Sequence, residues 1–145
     1  MSTHSDIVRT KRHLNERADK LLRMLALEAT GRVKKRTAVD TGRARNNWNV
    51  SVGRPDWNTT TATDKSVSAD RFRHVLADAK FGDSIYITNG LPYIGKLEFG
   101  GYPAGPKITA GYPTQAPGGM VRVVAAELKP LAAQIAARIR SGIGG

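Results

Sequence analysis

Bond-making chemistry needs a nucleophile beside a base, a pair of carboxylates, or a cluster of metal ligands. The three histidines, His4, His13 and His74, are the first place to look. No two are four residues apart, and no Asp or Glu completes a metal set around them, so they read as surface or structural side chains. Ser66, Ser68 and Ser84 sit in no Gly-x-Ser-x-Gly context. The 12 acids are scattered among 23 bases and form no convincing pair. Gly100-Gly101 and Gly118-Gly119 lack the Gly-Lys-Ser/Thr of a phosphate loop. His74 with Arg71, Arg73 and Lys80 is the grouping a metal-free ribonuclease could use. Cysteine is absent, which excludes disulfides and thiolate metal sites. The expectation is a protein that is not an enzyme, with no catalytic, metal or cofactor residues.

Two other segments combine turn formers, aromatics and charges as a contact site would. The first runs Val39-Asp40-Thr41-Gly42-Arg43-Ala44-Arg45-Asn46-Asn47-Trp48, and the second runs from Ile87 through Asn89, Pro92, Tyr93 and Glu98 to Gly100. Gly42 can take a positive φ and Asp40 or Thr41 can bond neighbouring backbone, so a tight turn is expected there. That turn should aim Arg43 and Arg45 at Glu98, where a bidentate Arg–carboxylate pair would fix register. If such a pair is buried, losing one partner costs about 3–5 kcal/mol. On the surface it is worth only ~0–1 kcal/mol.

These segments must be positioned by a framework. Between Asp6 and about Thr37, Ile7, Leu14, Ala18, Leu21, Leu25, Ala29 and Val33 trace one stripe of a helix capped by Ser5 or Asp6. Gly31 within it permits a bend. Some thirty helical residues span roughly 45 Å, more than a domain this small needs for its own core. Part of the helix is expected to pack elsewhere, which points to an oligomer. Trp48, Val50 and Val52 alternate with Asn49 and Ser51 as a strand with one buried face. Residues 53–64 are polar and threonine-rich, a long loop or flap. Ser68 to Lys80 reads as a short helix burying Phe72, Val75, Leu76 and Ala79. Ser84 to Asn89 reads as a second strand, closed by the Asn89-Gly90 turn. Leu91 to Phe99 is open between a helical turn and an irregular strand. The stretch from Gly100 to Gly119, with six glycines and four prolines, is a shaped loop. Met120 to Arg140 is a second long helix that Pro130 would kink or split.

The fold class is therefore α+β: a small, mostly antiparallel sheet packed by a long N-terminal and a C-terminal helix, with long loops, in one domain over residues 1–145. Two strands are too few for a stable sheet, so the loops or a neighbouring subunit should supply more.

The formal charge is +11. Residues 1–45 hold 12 Lys/Arg against 5 Asp/Glu, and the rest hold 11 against 7. The excess is densest at Arg32, Lys34, Lys35 and Arg36. Such a cluster is a solvated helix face, a phosphate contact or a surface for an acidic protein. Trp48, Trp57, Tyr86 and Tyr93 add stacking groups suited to single-stranded nucleic acid, although no helix-turn-helix, zinc-finger or RNP pattern is present. Met1 to Asp6 is polar and no run approaches the ~18 apolar residues of a membrane span, so a soluble protein made in a cytoplasm, without a membrane partner, is expected.

In their order and separation the two segments resemble the minor-tail-protein-Z-like group of tailed-bacteriophage neck and tail-completion proteins. The similarity runs from about Val33 to Ala126. It rests on Val39 through Trp48, on Asn89 and Pro92-Tyr93, on Leu97 to Gly100, and on Ala116-Pro117-Gly118-Gly119-Met120-Val121-Arg122 entering the last helix. Ala38 stands where many relatives carry proline, which affects only turn rigidity. The resemblance implies a structural virion protein forming a homo-oligomeric ring, most simply a hexamer, at the head–tail junction. Its partners would be connector, stopper and tail-tube proteins, with non-specific contact to packaged DNA and host cytoplasm as the place of assembly. The alternative is a basic nucleic-acid-binding protein, and after it a small nuclease.

Overall fold

The computed structural model describes residues 3–39, 42–62 and 70–142. Helix α1 runs Thr3–Arg36, one turn α2 covers Arg43–Asn46, and strand β1 is Trp48–Val52. Helix α3 (Asp70–Leu76), strand β2 (Ile85–Asn89) and helix α4 (Ile94–Phe99) follow. A hairpin of β3 (Ile108–Thr109) and β4 (Tyr112–Pro113) precedes helix α5 (Val121–Arg140). The architecture is α+β, as expected.

α1 and α5 lie antiparallel. Glu127 of α5 meets Arg32 and Arg36 near the end of α1, at 2.6 and 3.3 Å. Ala136 and Ile139 meet Ala18 and Leu21 thirteen or so residues earlier. Pro130 kinks no second element out of α5, which stays one helix. The proline is on the exposed side, and the carbonyl it deprives, that of Ala126, is on an exposed residue too, so the missing bond leaves no buried acceptor unsatisfied. Val124, Leu131 and Ile135 are the buried residues of α5.

The stripe on α1 is buried only in its second half. Ala29 and Val33 are in the core, Ala18, Leu21 and Leu25 are half-buried, and every residue from Thr3 to Arg17 is exposed. Ser5 and Asp6 fall inside the helix, so neither is its cap. With a rise of 1.5 Å per residue, the exposed part is about 22 Å long.

β1 and β2 pair antiparallel, Trp48 opposite Asn89 and Val52 opposite Ile85. One face of this sheet, with Trp48, Val50 and Ile87, closes two apolar clusters: Ala29, Val33, Leu97, Met120 and Val124 on one side, and Ala26, Phe72, Leu76 and Ala79 on the other. Val52 and Val75 are exposed, contrary to the strand alternation and the helix face read from sequence, because both lie at the rim of this core. Asn49 is buried, also contrary to that reading. The 53–62 loop lies over the opposite face of the sheet, held by side chains instead of a strand ladder. Asn49 Nδ2 donates to the carbonyls of Asp56 (3.1 Å) and Asn58 (2.8 Å). Asn47 both donates to Thr60 O and accepts from Thr60 N (2.9 and 2.7 Å). Asn46 Nδ2 reaches Ala62 O at 3.0 Å, and Thr88 Oγ1 donates to Asp56 O. The Gly/Pro-rich loop does supply two strands, but in their own sheet. Among the described residues, no helix is long and apolar enough to cross a membrane.

Candidate functional site

Where α1 ends, its last carbonyls need partners. Arg45 provides them: its NH2 nitrogen donates to Thr37 O at 2.9 Å and Lys35 O at 3.3 Å. Thr37 is buried; its hydroxyl donates to Val33 O (2.8 Å) and accepts the indole N–H of Trp48 (2.7 Å). The backbone of the same turn is tied to β2 and α3. Asn89 Nδ2 donates to Ala44 O (3.0 Å), and Arg71 donates to Trp48 O (2.6 Å). Gly42 has φ 92°, the positive value expected of it. Asp40 and Thr41 lie outside the described residues, as do Ser66 and Ser68.

Glu98 does a different job from the one its motif predicts. Its ion-pair partner is Arg122, at 3.2 Å, while Arg45 turns to the end of α1 and Arg43 faces a cleft described below. The expected pairing of Arg43 and Arg45 with Glu98 is therefore corrected: the guanidinium comes from α5. The carboxylate also accepts the backbone N–H groups of Met120, Val121 and Arg122 at 2.8, 2.8 and 2.9 Å. These are the orphan donors at the start of α5, whose own cap residue, Met120, contributes no side-chain bond. A carboxylate from α4 thus caps α5, favoured further by the positive end of the helix dipole. Glu98 is 8% exposed. Burial alone would raise its pKa, but the three backbone donors and the Arg122 side chain outweigh it and hold the carboxyl below its ordinary value. The Arg122 guanidinium is held above its ordinary range by Tyr112 and Glu98. Gly119 (φ 91°) makes this approach possible, since a Cβ there would overlap the Glu98 carbonyl oxygen.

The two sequence segments meet at a cleft of about 750 Å³. Gly42, Arg43 and Ala44 form one wall, Tyr93 and Leu97 the floor, and Tyr102, Lys107, Ile108 and Pro113 of the hairpin the facing wall. Gln115 bridges the two sides: its Oε1 accepts from Val39 N (3.1 Å) and its Nε2 donates to Val39 O (3.4 Å). Lys96 sits 4.7 Å over the Tyr102 ring. Pro92 is exposed just before α4, and Gly100 ends that helix, with its backbone N–H bonded to Lys96 O.

The basic cluster is divided. Arg32 and Arg36 are spent on Glu127, Lys34 lies 5.7 Å over the Phe72 ring, and Lys35 is exposed. Burial, then the nearby charges of Arg71 and Arg45, lower the pKa of Lys34. Glu127 is held below its ordinary value, chiefly by its bond to Arg32. Of the stacking candidates, Trp48 is core, whereas Trp57, Tyr86 and Tyr93 are exposed. Of the ribonuclease grouping, Arg71 bonds β1, Arg73 pairs with Asp70 at 2.9 Å, and His74 and Lys80 are exposed. No group of three His, Cys, Asp or Glu among the described residues could hold a metal.

Sequence reasoning missed Thr37 and Gln115, and it gave Arg122 no role beyond its place in the motif that enters the last helix. The missing local cap before Val121 was a readable signal that α5 is capped from elsewhere. No family model matches the chain, and neither a curated protein nor a solved structure matches it.

Proposed function

We propose that this protein is a structural component of a tailed-phage virion, assembling into a ring at the head–tail junction that joins connector to tail, and that it makes and breaks no bonds. The motif resemblance supplies the identity of the structure and the six-fold count. The observation that carries the docking role is the free half of α1. Ile7 and Leu14 are 61% and 60% exposed on a helix that runs about 22 Å past its neighbour α5. Two large apolar side chains one heptad apart on an isolated helix face gain nothing in water and are stabilised by a partner helix. The bonding of the two motif segments agrees: every side-chain bond traced from Arg45, Trp48, Asn89 and Glu98 holds backbone or another fixed group.

Electron microscopy of the concentrated protein tests this directly. Closed rings of uniform diameter are expected. Particles no larger than single chains at every concentration, together with cleavage of RNA or another substrate, would refute it.

A further inference from the structure

We infer that the outer edge of β2, at Ile85 and Ile87, takes an extended acidic segment of an unlike partner protein as a third strand. The inference deepens the docking reading above and rests on it for the existence of that partner.

The parity of the ladder is the first support. Gly53 N donates to Ser84 O at 2.8 Å, one step beyond the last strand pair, Val52 with Ile85. Bonded positions alternate along an antiparallel pair, so Ser84, Tyr86 and Thr88 turn their backbone groups towards β1. Ile85 and Ile87 turn theirs away. The sheet holds only β1 and β2, and among the described residues no hydrogen bond reaches the N–H or C=O of Ile85 or Ile87. The 53–62 loop does not supply one, since its bonds to the sheet are made at Asn47, Asn49 and Thr88. Along β1 the corresponding edge is taken: α3 packs there, and Arg71 donates to Trp48 O at 2.6 Å. β2 thus offers two donors and two acceptors at alternate residues, the set an incoming strand satisfies.

The second support is that nothing guards this edge. Folded proteins blunt an open strand with lysine, proline or a bulge. From Ile85 to Asn89 there is no charge and no proline, and the register with β1 runs without a bulge. The side chains of Ile85 and Ile87 are half-buried on the core face, and Tyr86 is 36% exposed on the other. A third strand would cover both, with apolar residues beside the isoleucines and a β-branched or aromatic one beside Tyr86.

Charge selects the occupant. Arg54 and Lys80 are exposed beside the start of β2, and neither side chain is paired with an acid. Asp83, whose carboxylate accepts Lys80 N, is the one acid in that turn. Two cations against one acid favour a segment that ends in carboxylates. A second copy of the chain is the poorer fit. It would bring another +11 to the contact. Its hairpin is unsuited as well, because Pro113 has no N–H to donate and Ile108 N is bonded to Gly105 O.

The test is fluorescence anisotropy with a labelled, end-blocked peptide, Glu-Thr-Val-Thr-Val-Thr-Glu, whose valines stand opposite Ile85 and Ile87. N-methylating both valines removes the donors that face β2 and should weaken binding at least about tenfold. N-methylating the threonine between them should leave binding unchanged. Ile85→Pro removes an outward N–H and no ladder bond, so it should weaken binding as the methylated valines do, with its melting temperature as the check on folding. Equal effects of the two methylated peptides would overturn strand addition whether or not that variant folds. Equal binding of a peptide with lysine ends would overturn the acidic occupant, and binding of neither would overturn the edge as a site. A dimer of the Ile7→Ser/Leu14→Ser variant that Ile85→Pro abolishes would give the edge to a second copy and overturn the unlike partner. Sedimentation of the same samples keeps the two readings separate: rings without peptide binding sink this inference alone, whereas parity-dependent binding by a permanent monomer sinks the ring.

Discussion

Glu98 carries a charge where little of it reaches water, and it is stable there because three backbone donors and one guanidinium converge on its two oxygens. The magnitudes say which of these matters most. Arg122 is half-exposed, so its ion pair is worth ~0–1 kcal/mol. A buried N–H left without an acceptor costs about 1–3 kcal/mol. Glu98→Ala should therefore destabilise the protein by about 1–3 kcal/mol or more, and Arg122→Ala by much less, in denaturant melts. A double-mutant cycle of Arg43→Ala with Glu98→Ala should show no coupling, whereas Arg122→Ala with Glu98→Ala should. The pH dependence follows from the sign of the shift. The folded pKa of Glu98 is depressed, so its contribution is complete above the ordinary value of 4.5 and is lost as pH falls through the folded value. Melting temperature should be flat from pH 7 to about 5 and drop below that, with a shallower drop in Glu98→Gln. An equally steep drop in that variant would place the acid sensitivity elsewhere, with Glu127 the next group to examine.

Helices α1, α3 and α5 and both strands of the main sheet were legible because their apolar residues keep period for several turns or alternations: Ala29 and Val33, Phe72 and Leu76, Leu131 and Ile135, Trp48 and Val50. What packs over them was not. In sequence Asn46 and Asn47 belong to the turn-forming first segment and Asn49 to the polar side of a strand, yet each spends its amide on the 53–62 loop, a partner without periodicity of its own. This explains how a two-stranded sheet stands without more strands: one face rests on helices and the other is bonded to a loop. Asn47→Ala removes two of those bonds at a buried site and should cost about 1–3 kcal/mol, with faster hydrogen exchange or proteolysis confined to 53–62. Uniform destabilisation without local opening would show that the loop is held by other contacts. Ile135→Ala, in the α1–α5 seam, should cost about 2–5 kcal/mol, and Leu21→Ala less, since Leu21 is only half-buried. The Glu98 cap was unreadable for a simple reason: its donors lie 22 to 24 residues away, and an arginine in the same motif offered a nearer, wrong partner.

At the scale of the whole molecule, the distribution of apolar surface separates what the chain needs for itself from what it presents. Among the described residues, α1 is half-buried from Ala18 and joins the apolar clusters from Ala26 onward, while Ile7, Val8 and Leu14 belong to neither cluster. Over-length in the first helix was visible from residue count alone, because 1.5 Å per residue sets its reach against the size of a small domain. Sedimentation velocity over a wide concentration range, comparing wild type with Ile7→Ser/Leu14→Ser, decides the matter. The wild type should form a discrete closed oligomer. The double variant should melt at nearly the same temperature as the wild-type monomer but sediment as a single chain. A wild type that remains monomeric throughout, or a variant that assembles equally well, would contradict assembly through this helix.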